Sequence, residues 1–171
     1  MTIDEIVEKL KSKYLIELQP TKPDPSIKVE SKDIAHVIKM LKEELNFETI
    51  ANLGGIDFPQ NNQLCVFYHL FSYTHKFTVC LKVFLPRDMP SVPTVSHLYK
   101  GANWLERETY DMYGIIFTDH PDLCRILCPD DWEGFPLRKD YQTPDYYNGM
   151  PVPLYFDNAG TPSAPLGEKE A

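Results

Sequence analysis

The densest group of charged side chains in the sequence comprises Glu106, Arg107, Glu108 and Asp111. Two carboxyl groups held close together can serve as general acid and general base, so Glu108 and Asp111 could form the centre of an acid–base enzyme. Arg107 and Asp111 are four residues apart, however, and this spacing lets them pair on one face of a helix. No nucleophile with its base is evident nearby. The pattern therefore favours an ion-pair network that fixes a helix against a neighbouring segment.

A second group contains three possible metal ligands at intervals of four residues: His120, Cys124 and Cys128. On a helix this spacing would place the three side chains on one face, as zinc or iron–sulfur binding would require. Pro121 and Pro129 bracket the segment and leave little room for a helix, and no fourth ligand is evident. A small metal- or thiol-based redox protein is thus an alternative. The pattern favours instead a turn at His120 and packing roles for the two cysteines.

The composition and charge of the chain exclude several classes of function. Among 171 residues, 17 basic and 25 acidic side chains give a net charge of -8, which argues against general binding to nucleic acid or anionic membranes. The longest apolar run, 64–68, is far shorter than the roughly 20 residues of a membrane span. No glycine-rich phosphate-binding pattern occurs. Because four cysteines are few and no secretory peptide is evident, we expect a cytosolic protein with reduced thiols.

Hydrophobic spacing predicts the elements that must position these groups. Thr2 and Glu5 have the spacing of a capping box, and a short first helix is expected behind them. Ser31 is a candidate cap for a longer helix whose single apolar stripe would lie on a sheet. Prolines interrupt residues 13–30, which can supply at most a short strand and an extended connection. An antiparallel meander is predicted from three β-rich runs: 49–58, 64–73 and 77–85.

A helical region is predicted from Ser91 and Pro93 onward, with a break near Gly101. Gly114 is placed to end this region, because glycine readily takes the left-handed conformation found at helix C-termini. After Gly114, prolines recur at short intervals among aromatic residues, and regular structure is not expected. Composition alone leaves open whether this tail lies on a partner or wraps its own domain.

The predicted fold class is therefore α+β. An antiparallel β-meander packed against helices occupies residues 1–118, and an extended proline-rich C-terminal docking segment occupies residues 119–171.

The charged group belongs to a longer motif. This motif resembles the signature of the C subunit of respiratory complex I, whose family is also called the 30 kDa subunit family. This complex is the proton-pumping NADH-quinone oxidoreductase. The resemblance runs in order from residue 106 to residue 141. The motif positions that carry it are Glu106, Arg107, Glu108, Asp111, Gly114, His120, Pro121, Arg125, Trp132, Pro136, Leu137, Arg138, Lys139 and Tyr141.

The resemblance implies a non-catalytic assembly subunit of the peripheral arm. Its partners would be other subunits of the arm and, above all, the large D subunit, which helps to form the quinone chamber and is called the quinone-site subunit below. The chain itself would bind no cofactor or metal, while FMN, iron–sulfur clusters and quinone would lie in partner subunits. It would lie on the cytoplasmic side of the inner (or photosynthetic) membrane, held there through its partners. An equivalent subunit of a ferredoxin- or other-donor dehydrogenase, or of a membrane-bound hydrogenase, is the alternative.

The resemblance also implies roles for the charged motif residues. Those of the helix would form an ion-paired anchor for the tail: Glu106, Arg107, Glu108 and Asp111. The later cations would be interface or tail-positioning charges: Arg125, Arg138 and Lys139. Because the sequence ends soon after the motif, a separate quinone-site subunit is expected in place of a fused form of the two proteins.

Overall fold

The computed structural model describes residues 3–19 and 25–152 of the chain. The α-helices in this part are α1 (Ile3–Lys11), α2 (Ile34–Leu45) and α3 (Ala102–Tyr113). The strands are β1 (Ile16–Gln19), β2 (Ser26–Val29), β3 (Thr49–Phe58), β4 (Gln63–Ser72), β5 (Phe77–Pro86), β6 (Ser91–Pro93), β7 (Ile116–Thr118), β8 (Tyr146–Tyr147) and β9 (Met150–Pro151). The predicted capping box needs Thr2, and the end of the predicted tail spans 153–171. Both lie outside the described residues.

A five-stranded sheet with the strand order β1-β2-β5-β4-β3 forms the centre of the fold. Strands β3, β4 and β5 form the antiparallel meander that the sequence predicted, and β3 has the predicted bounds. Strand β2 runs parallel to β5, with Ile27 opposite Leu81, so the complete sheet is mixed. The parallel pair is possible because α2 and two strands provide a long crossover between β2 and β5. The α+β class is confirmed.

Residues 13–30 contain two strands, so the prediction of at most one was wrong. Ile16 of β1 lies opposite Val29 of β2 in an antiparallel pair, and both side chains are buried. Each strand has only four residues. Such a run is too short for the alternation of apolar and polar side chains to stand out in a sequence.

The apolar core lies between the sheet and the helices α1 and α2. Every second residue of β4 is buried there, including Leu64, Val66 and Leu70. The stripe predicted for α2 is also buried. Ser31 does not cap α2 as predicted, because it belongs to a 3-10 turn and its hydroxyl donates to the carbonyl oxygen of Ser91 at 2.9 Å.

The helix predicted to begin at Ser91 is wrong, because residues 91–93 form β6. This strand runs parallel to β7, with Val92 opposite Phe117, and both side chains are buried. Val92 precedes Pro93, and a residue before proline is disfavoured in the helical conformation. The helix begins only at Ala102.

Helix α3 ends at Gly114, as predicted. The backbone of Gly114 has φ of 73°, and its N–H donates to the carbonyl oxygen of Tyr110. Residues 119–139, called the anchored segment below, contain turns and bends but no helix or strand. Among the described helices, none is long and apolar enough to cross a membrane.

Contacts between Cα atoms divide the chain into two compact units, Met1–Lys139 and Asp140–Ala171. The anchored segment therefore groups with the sheet. In the described part of the second unit, β8 and β9 pair as an antiparallel hairpin. The docking role of residues 119–171 stays a prediction.

Candidate functional site

The buried carboxylate of Asp111 holds one turn of the anchored segment by its backbone. Its Oδ2 atom accepts hydrogen bonds from three consecutive N–H groups, those of Ile126 at 3.0 Å, Leu127 at 2.7 Å and Cys128 at 2.9 Å. The other oxygen, Oδ1, lies 3.6 Å from Nη1 of Arg125. The carboxylate of Asp111 thus binds chain that carries no regular secondary structure of its own.

Asp111 is held in its charged form by these neighbours. Burial acts to raise the pKa of Asp111, but the three backbone N–H groups and the Arg125 guanidinium together lower it below its usual value. The side chain of Asp111 has no exposed surface. The negatively charged carboxylate therefore fixes three backbone N–H groups of the anchored segment.

Glu106 occupies a second buried position one turn earlier on α3. Its Oε2 accepts a hydrogen bond from the Thr94 hydroxyl at 2.5 Å, and Oε1 accepts one from the Val95 N–H at 2.7 Å. Nε2 of His120 lies 3.7 Å from Oε2. Burial raises the pKa of Glu106 to about 7, although the hydrogen bonds from Thr94 and Val95 act in the opposite direction.

The imidazole of His120 begins the anchored segment and is itself fully buried. Its Nδ1 accepts a hydrogen bond from the N–H of Asp122 at 3.1 Å. Nε2 is 3.3 Å from the carbonyl oxygen of Asn103. The ring therefore links the segment to the beginning of α3.

Arg107 does not pair with Asp111, contrary to the i,i+4 prediction. Its Nε donates to the carbonyl oxygen of Cys124 at 3.2 Å, and its Nη1 lies 3.7 Å from a carboxylate oxygen of Asp122. The guanidinium also lies 5.2 Å from the ring centre of Trp104. Arg107 and Asp111 each contact the anchored segment instead of one another.

Two arginine guanidinium groups lie close to the ring of Phe135. The guanidinium carbons of Arg125 and Arg138 lie 5.5 Å and 4.8 Å from its centre. Arg138 Nε also donates to the carbonyl oxygen of Tyr113 at 2.8 Å. A Cβ atom at Gly114 would stand 2.5 Å from the Phe135 ring, so this position needs glycine for space as well as for its positive φ.

The end of the anchored segment is attached to β3. The N–H of Lys139 donates at 2.8 Å to Oδ2 of Asp57, a buried residue of β3. Arg87 holds the same carboxylate through its Nε at 3.1 Å and its Nη2 at 2.9 Å. Leu137 donates its N–H to the carbonyl oxygen of Met112, at 3.1 Å.

Glu108 differs from the other charged residues of the motif. It is exposed, and no hydrogen bond or ion pair joins it to any described residue. It therefore takes no part in an ion-paired network within the described part of the chain. Since Asp111 is buried against backbone amides, the two carboxylates of the proposed acid–base pair also face different surroundings.

The structure does not gather His120, Cys124 and Cys128 around one point. His120 faces Glu106, while Cys124 Sγ accepts a hydrogen bond from Nη2 of Arg107 at 2.9 Å. Within residues 3–19 and 25–152, no group of three or more His, Cys, Asp or Glu side chains is arranged to hold a metal ion. The geometry therefore gives the metal alternative no support.

The remaining motif residues have simple placements. Pro121 is exposed, and the N–H of Trp132 donates to the carbonyl oxygen of Pro129 at 3.1 Å. Pro136 is half-buried in the anchored segment, whereas Tyr141 belongs to the second unit.

The sequence profile of the family described as "Respiratory-chain NADH dehydrogenase, 30 Kd subunit" matches residues 27–147. The chain belongs to this family. The match includes every motif position from Glu106 to Tyr141, so the resemblance inferred from the motif is confirmed.

Named relatives of this 30 kDa subunit family are similar over most of the chain. The NADH-quinone oxidoreductase C subunit of Chloroherpeton thalassium is 44% identical over 133 residues, which are 75% of this chain and 55% of that protein. The C subunit of the same enzyme from a Roseiflexus species is 48% identical over 120 residues, covering 68% and 69% of the two chains. The F420H2 dehydrogenase C subunit of Methanosarcina mazei is 40% identical over 142 residues, covering 80% and 90%. The chain thus spans about half of the first of these relatives.

Two solved structures share the fold. A trypsin-resistant fragment of Nqo5 superposes with a TM-score of 0.61 and 28% identity, covering 72% of this chain and 100% of the fragment. A chain of an archaeal membrane-bound sulfane sulfur reductase superposes with a TM-score of 0.70 and 25% identity, covering 81% and 85%.

Sequence reasoning missed two residues that position the motif of this 30 kDa family member. Asp57 holds Lys139, and Thr94 holds Glu106. A lone aspartate inside the β-rich run 49–58 was the available signal for Asp57, because an unpaired charge is rarely buried in a strand. Thr94 carries no such signal, since threonine is common in extended chain.

Proposed function

We propose that this chain is a non-catalytic assembly subunit in the peripheral arm of a proton-translocating NADH-quinone oxidoreductase. In this proposal, residues 119–171 dock the quinone-site subunit. FMN, iron–sulfur clusters and quinone are bound by partner subunits, and the chain lies on the cytoplasmic side without entering the membrane. Family membership supports the proposal, as does the structural similarity to a chain of an archaeal respiratory membrane complex.

The observation that carries the proposal is the anchored segment itself. It has no helix or strand, yet α3 and β3 hold it through two buried aspartates, Asp111 and Asp57. Its apolar side chains are not all turned inward, because Leu127 remains 62% exposed. Leu137 is also 48% exposed. Binding residues are often carried on loops that a rigid scaffold holds in place, and this supports a docking role for the segment.

The buried acids give little support to catalysis by the isolated chain. A strongly shifted pKa can mark a catalytic group, but structural networks produce the same shift. Glu106 has no exposed surface, and both of its oxygens already accept hydrogen bonds from protein groups. Asp111 is equally enclosed. A substrate could reach neither carboxylate without displacing the anchored segment.

The test is assembly in the native host with Leu127→Asp in place of the wild-type chain. We expect the complex to lose the quinone-site subunit or to be recovered in much lower yield, because a charge would replace an apolar contact. Leu15→Asp is the matched control, since Leu15 is 74% exposed but lies next to β1. Normal assembly of the Leu127 variant would contradict the proposal.

A second variant separates assembly from turnover. Arg138→Glu should loosen the Phe135 contact and lower the amount of complex, while each assembled complex keeps its turnover. Normal assembly with lost turnover would indicate a direct catalytic role. Truncation after Lys139 removes the second unit and leaves the first compact unit whole, so it tests whether the second unit takes part in assembly.

The second candidate is the same assembly role in a complex with a different electron donor. The 40% identity to the F420H2 dehydrogenase protein of Methanosarcina mazei, across 90% of that protein, favours it. Purifying the intact complex and assaying it with NADH, reduced ferredoxin and F420H2 decides between the candidates. Activity with NADH alone would exclude the second.

A further inference from the structure

A groove runs between the edge strand β3 and helix α3. Its lining includes Gly54, Phe67, Glu108, Met112, Tyr113 and Leu137, and it encloses about 220 Å³. Pockets that bind small molecules usually enclose about 300–1,000 Å³. The groove is therefore the size of a site for one side chain.

Two adjacent glycines of β3 leave this space open. A Cβ atom at Gly54 would stand 2.8 Å from the ring of Phe67, and one at Gly55 would stand 2.5 Å from the ring of Tyr113. Both distances are too short for a real contact. The glycines thus let two aromatic rings approach the backbone of the strand and line the groove.

Glu108 is the charged residue among those that line the groove. Its carboxylate has no hydrogen bond or ion pair with any described residue, in contrast to Glu106 and Asp111 on the same helix. It lies near the phenol of Tyr113, whose pKa is raised first by burial and then by the charges of Asp57 and Glu108. A carboxylate with no hydrogen bond or ion pair among the described residues thus lies in a groove whose lining is mainly aromatic and apolar, with Asn52 and Thr109 as further polar residues.

We propose that this groove receives one cationic side chain, an arginine or lysine, from the surface of the quinone-site subunit. The cation would pair with the Glu108 carboxylate while its apolar or planar part packs on Phe67, Tyr113 and Leu137. Cations over aromatic faces and charge-assisted hydrogen bonds to carboxylates both strengthen where water is excluded. This inference rests on the proposed function, because it assumes that the quinone-site subunit is the partner.

The first test measures binding of the full chain to the purified quinone-site subunit of the same organism. Glu108→Gln should weaken binding by at least about tenfold, and Glu108→Arg should weaken it further, because a like charge would then face the incoming cation. Glu43→Gln and Glu43→Arg are the matched controls, since Glu43 is also exposed but lies on α2, outside both the groove and residues 119–171. We expect these controls to change binding less than twofold.

The second test identifies the incoming residue. A photoreactive amino acid in place of Leu137 should crosslink to a peptide of the quinone-site subunit that carries an arginine or lysine. Changing that residue to glutamate should restore the binding lost in Glu108→Arg. A crosslinked peptide without a cation, or failure of the charge exchange to restore binding, would overturn the groove proposal.

The outcomes also distinguish this inference from the proposed function. If the Glu108 variants bind the quinone-site subunit with wild-type affinity while Leu127→Asp does not, only the groove proposal is wrong. If the wild-type chain itself shows no such binding, both proposals fail. Unfolding of the isolated Glu108 variants by urea checks that any loss of binding is not a loss of folding.

Discussion

Two regions of this protein are held in place by opposite means. Helix α2 lies on the sheet through apolar side chains such as Val37, Ile38 and Leu41, all without exposed surface. The anchored segment, residues 119–139, is held mainly by polar contacts, with Asp111 and Asp57 accepting hydrogen bonds from its backbone. Helix α2 has regular structure and one continuous apolar face, whereas the anchored segment has no helix or strand and only isolated apolar contacts, such as those of Leu123 and Phe135.

The difference shows what irregular chain needs in order to be fixed. Apolar burial is not directional, so it holds an element well only when the element repeats its apolar side chains on one face. An irregular segment has no such face, but it has backbone N–H groups that need acceptors. Buried carboxylates supply strong acceptors with definite directions. In this chain, buried acids on the regular elements α3 and β3 therefore hold the segment that has no periodicity.

Among the variants that test this difference, Asp111→Ala is expected to have the largest effect on the free energy of unfolding. It removes the acceptor of three N–H groups and leaves Arg125 without its anion, so the free energy of unfolding should fall by about 3–5 kcal/mol. Urea unfolding of the isolated chain measures this change. Glu108→Ala on the same helix is the control and should change stability by less than about 0.5 kcal/mol.

Leu41→Ala provides the matching change in the apolar region. The cavity left by this substitution should lower the free energy of unfolding by about 2–5 kcal/mol, a range that overlaps the one expected for Asp111→Ala. Limited proteolysis should separate the two variants, because cleavage within residues 119–139 is expected to rise first in Asp111→Ala. Equal protection of that segment in both variants would mean that Asp111 does not anchor it.

Glu106 should make stability depend on pH between about 4.5 and 7. The folded state raises its pKa to about 7, so in this range the folded protein holds a proton that the unfolded chain has released. The contribution of Glu106 to the free energy of unfolding is therefore largest below pH 4.5. It falls as the pH rises to 7, by an amount on the order of 3 kcal/mol. Urea unfolding at several pH values should show a flatter profile for Glu106→Gln.

The difference between the two profiles isolates the contribution of Glu106, because every other titratable group is common to both proteins. Identical slopes in wild type and Glu106→Gln would contradict the assignment. A slope of the opposite sign would indicate that Glu106 is ionised in the folded protein throughout the range.

Gly114→Ala tests the space that the anchored segment requires at the end of α3. A Cβ atom there would meet the Phe135 ring, and the positive φ of 73° disfavours alanine, so stability should fall by at least about 1 kcal/mol. Gly101→Ala is the control, because nothing lies within 4 Å of its added Cβ and its φ is -65°. Thermal unfolding should show a lower Tm for Gly114→Ala only.

The periodic part of the fold could be predicted from the sequence. The stripe of α2 and the β-rich pattern of 49–58 are local, and each was found with the correct type of element. The short strands β1, β2 and β6 were missed or misassigned, and β7 lies where no regular structure was expected. Local spacing does not reveal their partners, because β2 pairs with the distant β5 and β6 pairs with β7 across α3. Three or four residues cannot display a period.

The partners of the charged motif could not be predicted from spacing. Arg107 and Asp111 have the right interval for an ion pair, yet each contacts a residue well beyond the helix, Cys124 and Ile126 respectively. Asp57 and Lys139 are 82 positions apart. The sequence indicated which residues are charged and that they form one motif, but the choice of partner depends on how the segment folds back.

Glu44→Gln should have the smallest effect, and it tests whether burial makes the polar anchors strong. Glu44 pairs with Lys13 at 3.2 Å, but both side chains are about half-exposed. Water and salt screen such a pair, so its loss should change the free energy of unfolding by less than about 0.5 kcal/mol at any ionic strength. Urea unfolding at low and high salt measures this. A loss comparable to that of Asp111→Ala would mean that charge alone holds chain segments, and the contrast between buried and exposed carboxylates would then not explain the anchored segment.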